Sequence, residues 1–280
     1  MTTEFNSKTE IREKIHKVSL YLLLTFDRFC KENDLIYFLD SGTALGAVRH
    51  GGFIPWDDDV DVGMPRKDYE RLLKIGPERL PEDLFIQTVE TDPAYKFKFA
   101  KLRLKGTIYQ EYDSLPFKEN GFFIDIFPYD QVSCNKGIAK LDVTISSYMY
   151  HIIRLWRSSG ECSTKILRLI QRLIKKIPES KIEWLDAMWT KYCRKNENKE
   201  IGCMTPFFWG MSQYKAYIFD TNKMLPVRDI LFEGHLLKIM RDPDYYLKLA
   251  YGDYLTLPPI AKRQGHHFNG MIDFGKYSHI

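Results

Sequence analysis

The sequence predicts an α+β fold, a mixed sheet flanked by helices and carrying a helical insertion. Three observations lead there. Short apolar runs of strand length, such as residues 36–39 and 122–127, are bounded by turn residues. Ile11, Ile15, Val18 and Leu22 recur at helical spacing ahead of them. Residues 137–194 read as helix, and mixed strand and helix patterns return after Pro206.

Taken in order, residues 8–33 form an amphipathic helix, and Ile36-Tyr37-Phe38-Leu39 is a buried strand. That strand ends in Asp40-Ser41-Gly42-Thr43, which is turn chemistry and a helix start, so a helix spans about residues 43–50 with Ala44, Leu45, Ala47 and Val48. A strand bearing an acidic row follows, then a helix near residues 68–75, a strand over 96–105 and another over 122–127. A last helix, near residues 244–250, packs back on the core. The chain thus divides into a catalytic core with its N-terminal helix (1–135), a helical insertion (136–205) and a C-terminal segment (206–280), without internal repeats.

The acidic row is the most informative stretch. Phe53-Ile54-Pro55-Trp56-Asp57-Asp58-Asp59-Val60-Asp61-Val62-Gly63 sets four carboxylates within five residues in apolar surroundings, where such charge persists only if it is neutralised. Read with period two, Asp57, Asp59 and Asp61 share one face while Val60 and Val62 point into the core. Such oxygen ligands suit Mg2+ or Mn2+. A solvated acidic turn is the plain alternative, although Val60, Val62 and Met64 alternating with the acids favour a strand. An EF-hand fails, because Val62 stands where its loop needs glycine and Asp68 where it needs glutamate.

The start of the preceding helix offers free backbone N–H groups beside the hydroxyls of Ser41 and Thr43, with Gly42 between them, a place for a phosphate or simply a cap. Asp125 sits in the apolar run 122–127, as a structural acid or as a ligand. In Phe97-Lys98-Phe99-Ala100-Lys101-Leu102-Arg103-Leu104, Lys101 and Arg103 share a face opposite Leu102 and Leu104. Facing the acids, they would hold a diphosphate; the alternative is a strand edge guarded by Lys98 and Lys105. Arg49 and His50 are further substrate candidates, or they complement a helix C-terminus.

From Ser41 to Val62 the chain resembles the signature of the LicD family, whose bacterial members transfer phosphocholine onto cell-surface glycans. Gly121-Phe122-Phe123-Ile124-Asp125-Ile126-Phe127-Pro128 looks like its second block. Phe232-Glu233-Gly234-His235, with Tyr251-Gly252-Asp253-Tyr254-Leu255-Thr256-Leu257-Pro258-Pro259, looks like the C-terminal one. The family lies in the nucleotidyltransferase superfamily, and the fukutin-type ribitol-phosphate transferases are similar to it. The resemblance implies a nucleotidyltransferase-like core in which Asp59, Asp61 and Asp125 hold Mg2+ or Mn2+. Asp57 reaches the metal, acts as general base or closes the turn after Pro55. The donor implied is CDP-choline, and the acceptor a sugar hydroxyl of a free or lipid-linked glycan precursor of teichoic acid, lipoteichoic acid or lipopolysaccharide. Transfer of a polyol phosphate or nucleotide, or a catalytically idle glycan-binding role, are the alternatives.

The remaining signals constrain less. The chain has 280 residues, 44% of them hydrophobic and 14% aromatic, which argues against disorder, and a net charge of +4 that does not suggest nucleic acid. Five cysteines, Cys30, Cys134, Cys162, Cys193 and Cys203, lack paired spacing and read as free thiols in a reducing compartment. The polar start and the shortness of every apolar run point to a cytoplasmic protein, at the inner face of the plasma membrane if it meets lipid-linked substrate. Residues 165–177 are apolar on one side and basic on the other, so that stripe packs on neighbouring helices or docks on an anionic membrane. Phe207, Phe208, Trp209 and Tyr214 are core, or a choline cage; His266 and His267 contact phosphate, or are exposed.

Overall fold

A computed structural model describes residues 8–111, 117–158, 164–199, 202–207, 217–265 and 271–280. The chain opens with α1 (Lys8–Glu32), β1 (Phe38–Leu39), α2 (Ser41–His50), β2 (Asp61–Pro65) and α3 (Arg66–Arg79). Next come β3 (Leu84–Gln87), β4 (Ala100–Leu104), β5 (Ile108–Tyr109) and β6 (Phe123–Ser133). Three helices follow, α4 (Lys136–Arg157), α5 (Lys165–Ile174) and α6 (Glu179–Cys193). The chain then forms β7 (Gly202–Thr205), β8 (Phe219–Asp220), α7 (Thr221–Met224), β9 (Arg228–Phe232), β10 (His235–Ile239), α8 (Pro243–Tyr251) and β11 (Ile272–Asp273).

The architecture is α+β. The main sheet runs β3-β4-β6-β2-β1-β10-β9 and mixes directions: β2–β6 and β1–β10 are parallel, while its other pairs are antiparallel. β6 outruns β2, and its last residues turn to β7, pairing Val132 with Cys203. A small β5–β11 ribbon stands apart from this sheet.

Burial explains the layering. Ile15, Val18 and Leu22 of α1 are buried together with Val62, Met64, Ile124 and Ile126, so the helical stripe of α1 and the central strands share one core. Phe232, Leu237, Ile239, Tyr246 and Tyr277 belong to the same core, which ties the C-terminal segment to the first half of the chain. A second, smaller core holds Val132, Val143, Ile153, Trp189 and Phe207, and it joins α4 and α6 to the far end of β6.

Four expectations meet a different local structure. The acidic row is not a strand along its length: Asp57 N–H donates to the Ile54 carbonyl (2.9 Å) in the turn at Pro55, and β2 starts only at Asp61. α2 begins two residues early, because the Asp40 side chain accepts the Ser41 N–H and so caps it. β4 is interior, lying between β3 and β6, so the reading of a lysine-guarded edge does not hold. The reading of all cysteines as free thiols is corrected as well, since Cys134 and Cys203 form a disulfide. The β6–β7 register brings them together across 69 residues, a proximity that spacing along the chain does not reveal. Cys30 and Cys193 are buried free thiols, and Cys162 lies outside the described residues.

Candidate active site

The site is built where β1 hands over to α2. Asp40 is fully buried and accepts hydrogen bonds from Ser41 N–H (2.8 Å), from the Tyr129 hydroxyl (2.9 and 3.0 Å to its two oxygens) and from the Tyr246 hydroxyl. Burial pushes its pKa up to about 6 against the pull of those donors. Ser41 takes φ +46°, a left-handed backbone at the first helical position, which costs a non-glycine residue on the order of 1 kcal/mol. Thr43 Oγ1 accepts the Asp61 N–H (2.9 Å), so its hydroxyl also fixes where β2 begins. At Gly42 a Cβ would come within 2.6 Å of Asp57 Oδ2. The absence of a side chain there is what lets the Asp57 carboxylate lie against the start of α2.

Beyond it, oxygens of Asp57, Asp58 and Asp59 lie within 4.8 Å of one another, the one such set of three among the described residues. Distant segments hold this loop: the His16 ring bonds the Asp57 carbonyl (2.7 Å), the Tyr109 hydroxyl donates to the Asp58 carbonyl (3.0 Å), and the backbone of Gly265 rests against the Asp58 carboxylate. Asp61 and Asp125 are register partners on the parallel strands β2 and β6. Asp125 N–H donates to the Val60 carbonyl (2.9 Å), locking that register at the loop.

Charge is crowded here. Burial first, and then the charges of Asp59, Asp125, Asp40 and Asp57, hold the Asp61 carboxyl well above the usual range. Burial raises Asp125 to about 6, opposed by Lys101. Tyr251, 45% exposed as a residue, stands beside these acids. There burial, followed by the fields of Asp61, Asp40, Asp57 and Asp59, pushes the phenol up. An all-oxygen donor set under such mutual repulsion has the chemistry of a hard-cation site.

The cations fall into two groups. Lys101 is buried between Asp125 (2.8 Å) and Glu111 (2.9 Å), with its ammonium 3.4 Å from the centre of the Phe123 ring. Arg103 is 1% exposed and donates to Gln87 (2.6 Å), the Gly121 carbonyl (2.9 Å) and Glu111 (2.8 Å), so its guanidinium is committed to the interior. Burial works against Glu111 ionising, yet Lys101 and Arg103 hold its carboxyl below the ordinary value. Outside the sheet, the Arg49 and Arg263 guanidiniums lie 6.0 and 5.2 Å from the Trp56 ring. Arg49 is tied to the Tyr254 carbonyl (2.9 Å), and its His50 neighbour packs edge-on against the same indole.

Ser41, Gly42, Thr43, Asp57, Asp59, Asp61 and Asp125 thus gather in one region, with Lys101 behind Asp125 and with Arg49 and His50 beside Trp56. Arg103 stands apart in the interior. Phe207 is buried in the second core, whereas Phe208, Trp209, Tyr214, His266 and His267 lie outside the described residues. Asp58, Glu111, Trp56 and Arg263 were not singled out from the sequence. Asp58 stood inside the acidic row but was set aside by the period-two reading, and nothing in the sequence marks Glu111.

Residues 34–151 match the sequence model of a family described as LicD/FKTN/FKRP, nucleotidyltransferase domain. Over 269 residues the chain is 28% identical to the lipopolysaccharide cholinephosphotransferase LicD of Haemophilus influenzae, covering 93% of this chain and 97% of that protein. A 32-residue stretch is 56% identical to the ribitol 5-phosphate transferase FKRP of Homo sapiens, 11% of this chain and 6% of that one. Mannosyltransferase regulator 4 of Saccharomyces cerevisiae is 34% identical over 70 residues, 25% of this chain and 6% of that protein. The helix-start loop, the acidic row and Asp125 all lie inside the span that matches this LicD/FKTN/FKRP nucleotidyltransferase-domain model.

Proposed function

We propose that the protein is a metal-dependent phosphotransferase. It moves phosphocholine from CDP-choline to a sugar hydroxyl of a cell-surface glycan precursor, of teichoic acid, lipoteichoic acid or lipopolysaccharide, and releases CMP. The observation that carries this reading is the crowding of Asp57, Asp58, Asp59, Asp61 and Asp125 beside the start of α2. The choice of phosphocholine rests on the likeness to the H. influenzae cholinephosphotransferase.

The carboxylates fit a divalent cation, because every donor is a hard oxygen and the charges of Asp59, Asp125, Asp40 and Asp57 together hold Asp61 above its usual range. Asp59, Asp61 and Asp125 would hold Mg2+ or Mn2+, which supplies charge neutralisation for a diphosphate. The chain's own groups do the rest. The Gly42 backbone N–H, with the Ser41 and Thr43 hydroxyls, receives phosphate oxygens at the positive end of α2, the Ser41 N–H being taken by Asp40. Arg49, His50 and Arg263 supply further positive charge beside Trp56. Lys101, braced by Glu111, keeps Asp125 charged and in place. Asp57, held against Gly42, takes the proton of the acceptor hydroxyl as its oxygen attacks the choline-bearing phosphorus and the bond to CMP breaks. Most of the rate comes from positioning and charge.

In this reading the enzyme works in the cytoplasm, at the inner face of the plasma membrane, on free or lipid-linked glycan, with no role for nucleic acid. Among the described residues no helix is long and apolar enough to cross a membrane. A second reading, transfer of a polyol phosphate, draws on the 32-residue likeness to the ribitol 5-phosphate transferase.

The test is incubation with CDP-choline, CDP-ribitol and plain nucleotides, with and without chelator, reading CMP and pyrophosphate. The expected result is CMP from CDP-choline alone, abolished by chelator and by Asp59→Asn or Asp61→Asn with the fold intact. Turnover of CDP-ribitol instead would select the second reading. Silence with every donor would leave a glycan-binding protein.

A further inference from the structure

We propose that α5 docks the protein on an anionic lipid surface, an inference that does not depend on which group the enzyme transfers. An amphipathic helix of a folded protein ordinarily turns its apolar stripe to the core. Here the helix is inverted: Gln171 is buried at 6% exposure, while Ile166, Leu169 and Leu173 stand out at 73%, 60% and 56%. The orientation is fixed from both ends. Thr164 caps the helix by accepting the Leu167 N–H (3.2 Å), and the Trp156 indole of α4 donates to the Ile177 carbonyl beyond it (2.9 Å).

Charge decides what covers this face. Residues 164–177 contain five basic side chains and no acidic one. At 100° per residue, Lys165 and Arg172 line one border of the stripe formed by Ile166, Leu169 and Leu173, and the exposed Lys176 follows in the turn after the helix. Two copies meeting through this face would bring like charges together. A bilayer rich in anionic headgroups satisfies both halves, since the apolar side chains enter the acyl boundary while the cations reach phosphates. Among the described residues no helix is long and apolar enough to cross a membrane, and the proposal is one of attachment at a surface.

The experiment is flotation of the full chain with vesicles of mixed phosphatidylglycerol and phosphatidylcholine, against vesicles of phosphatidylcholine alone. The protein is expected to float with the anionic vesicles only, and to be released as salt rises. Leu169→Glu with Leu173→Glu lowers the bound fraction about tenfold, and so does Arg172→Glu with Lys176→Glu. Both variants keep the wild-type circular dichroism and CMP release from soluble donor, because these exposed positions lie outside the catalytic machinery. Loss of donor turnover in the wild type would overturn the proposed reaction and leave flotation untouched. Equal binding to both vesicle types, no binding by wild type, or a concentration-dependent dimer abolished by Leu169→Glu would each overturn the docking proposal.

Discussion

The Tyr246 hydroxyl donates to Oδ1 of Asp40, joining α8 to the start of α2 across 206 residues of chain. Asp40 is thereby held by one residue from the end of the fold, by Tyr129 from its middle strand and by its own neighbour Ser41.

That arrangement sets a pH dependence. The folded-state pKa of Asp40 is raised to about 6 by burial, so between its ordinary value and about 6 the folded protein binds more protons than the unfolded chain. Its contribution to stability is therefore greatest at low pH, falls as pH rises through that window and is level above it. Asp40→Asn, which retains a capping oxygen, removes this component. The difference between wild type and variant in urea unfolding free energy should change by roughly 3 kcal/mol from pH 4 to pH 7.

Lys101 lies between the buried Asp125 and the half-buried Glu111, and removing its charge leaves Asp125 facing Glu111 with Arg103 as the cation that remains beside them. Lys101→Met should destabilise by about 3–5 kcal/mol in urea titration, with much of the loss recovered when Glu111→Gln is added. A loss below about 1 kcal/mol would place the pair among weakly contributing surface bridges.

Arg49 and Arg263 converge on Trp56 from different ends of the chain. Arg49→Ala or Arg263→Ala should raise KM for the CDP-linked donor about tenfold, the order of one charge-assisted hydrogen bond. The melting temperature should move little for Arg263→Ala. An unchanged KM in both variants would remove them from donor binding.

The Cys134–Cys203 bond closes a loop with a sequence separation of 69 residues. Cys134→Ser should lower unfolding stability by at most about 4 kcal/mol, because α4 and α6 already pack within that loop. Dithiothreitol should bring wild type to the same value, and thiol titration before and after reduction checks the pairing directly.

Much of this was legible because period and turn chemistry are local. The stripe from Ile15 to Leu22 gave α1, the Asp40 turn gave a helix start one step before the acids, and the resemblance drew Asp125 to them. What depended on neighbours across the fold was hidden. Period two assigned a face to Asp57 and Asp59, but the turn closed by the Asp57–Ile54 bond frees them from any strand and lets Asp58 join them. The β4 pattern placed Lys101 and Arg103 on one face without revealing that Glu111 and Gln87 would enclose Arg103. In α5 the moment was plain, yet a sequence carries no mark of which side finds a partner. The disulfide was invisible for a related reason, since its two halves meet only through the β6–β7 register.

The parallel pairing of Leu39 with Ile239 places the last central strand beside almost the first. A ribosome that has not yet released β10 therefore holds a nascent chain whose β1 is an open edge and whose Asp40 still lacks Tyr246. Asp40 gains this partner only after residues 240–246 have been made, and until then its carboxylate is held by Ser41 and Tyr129.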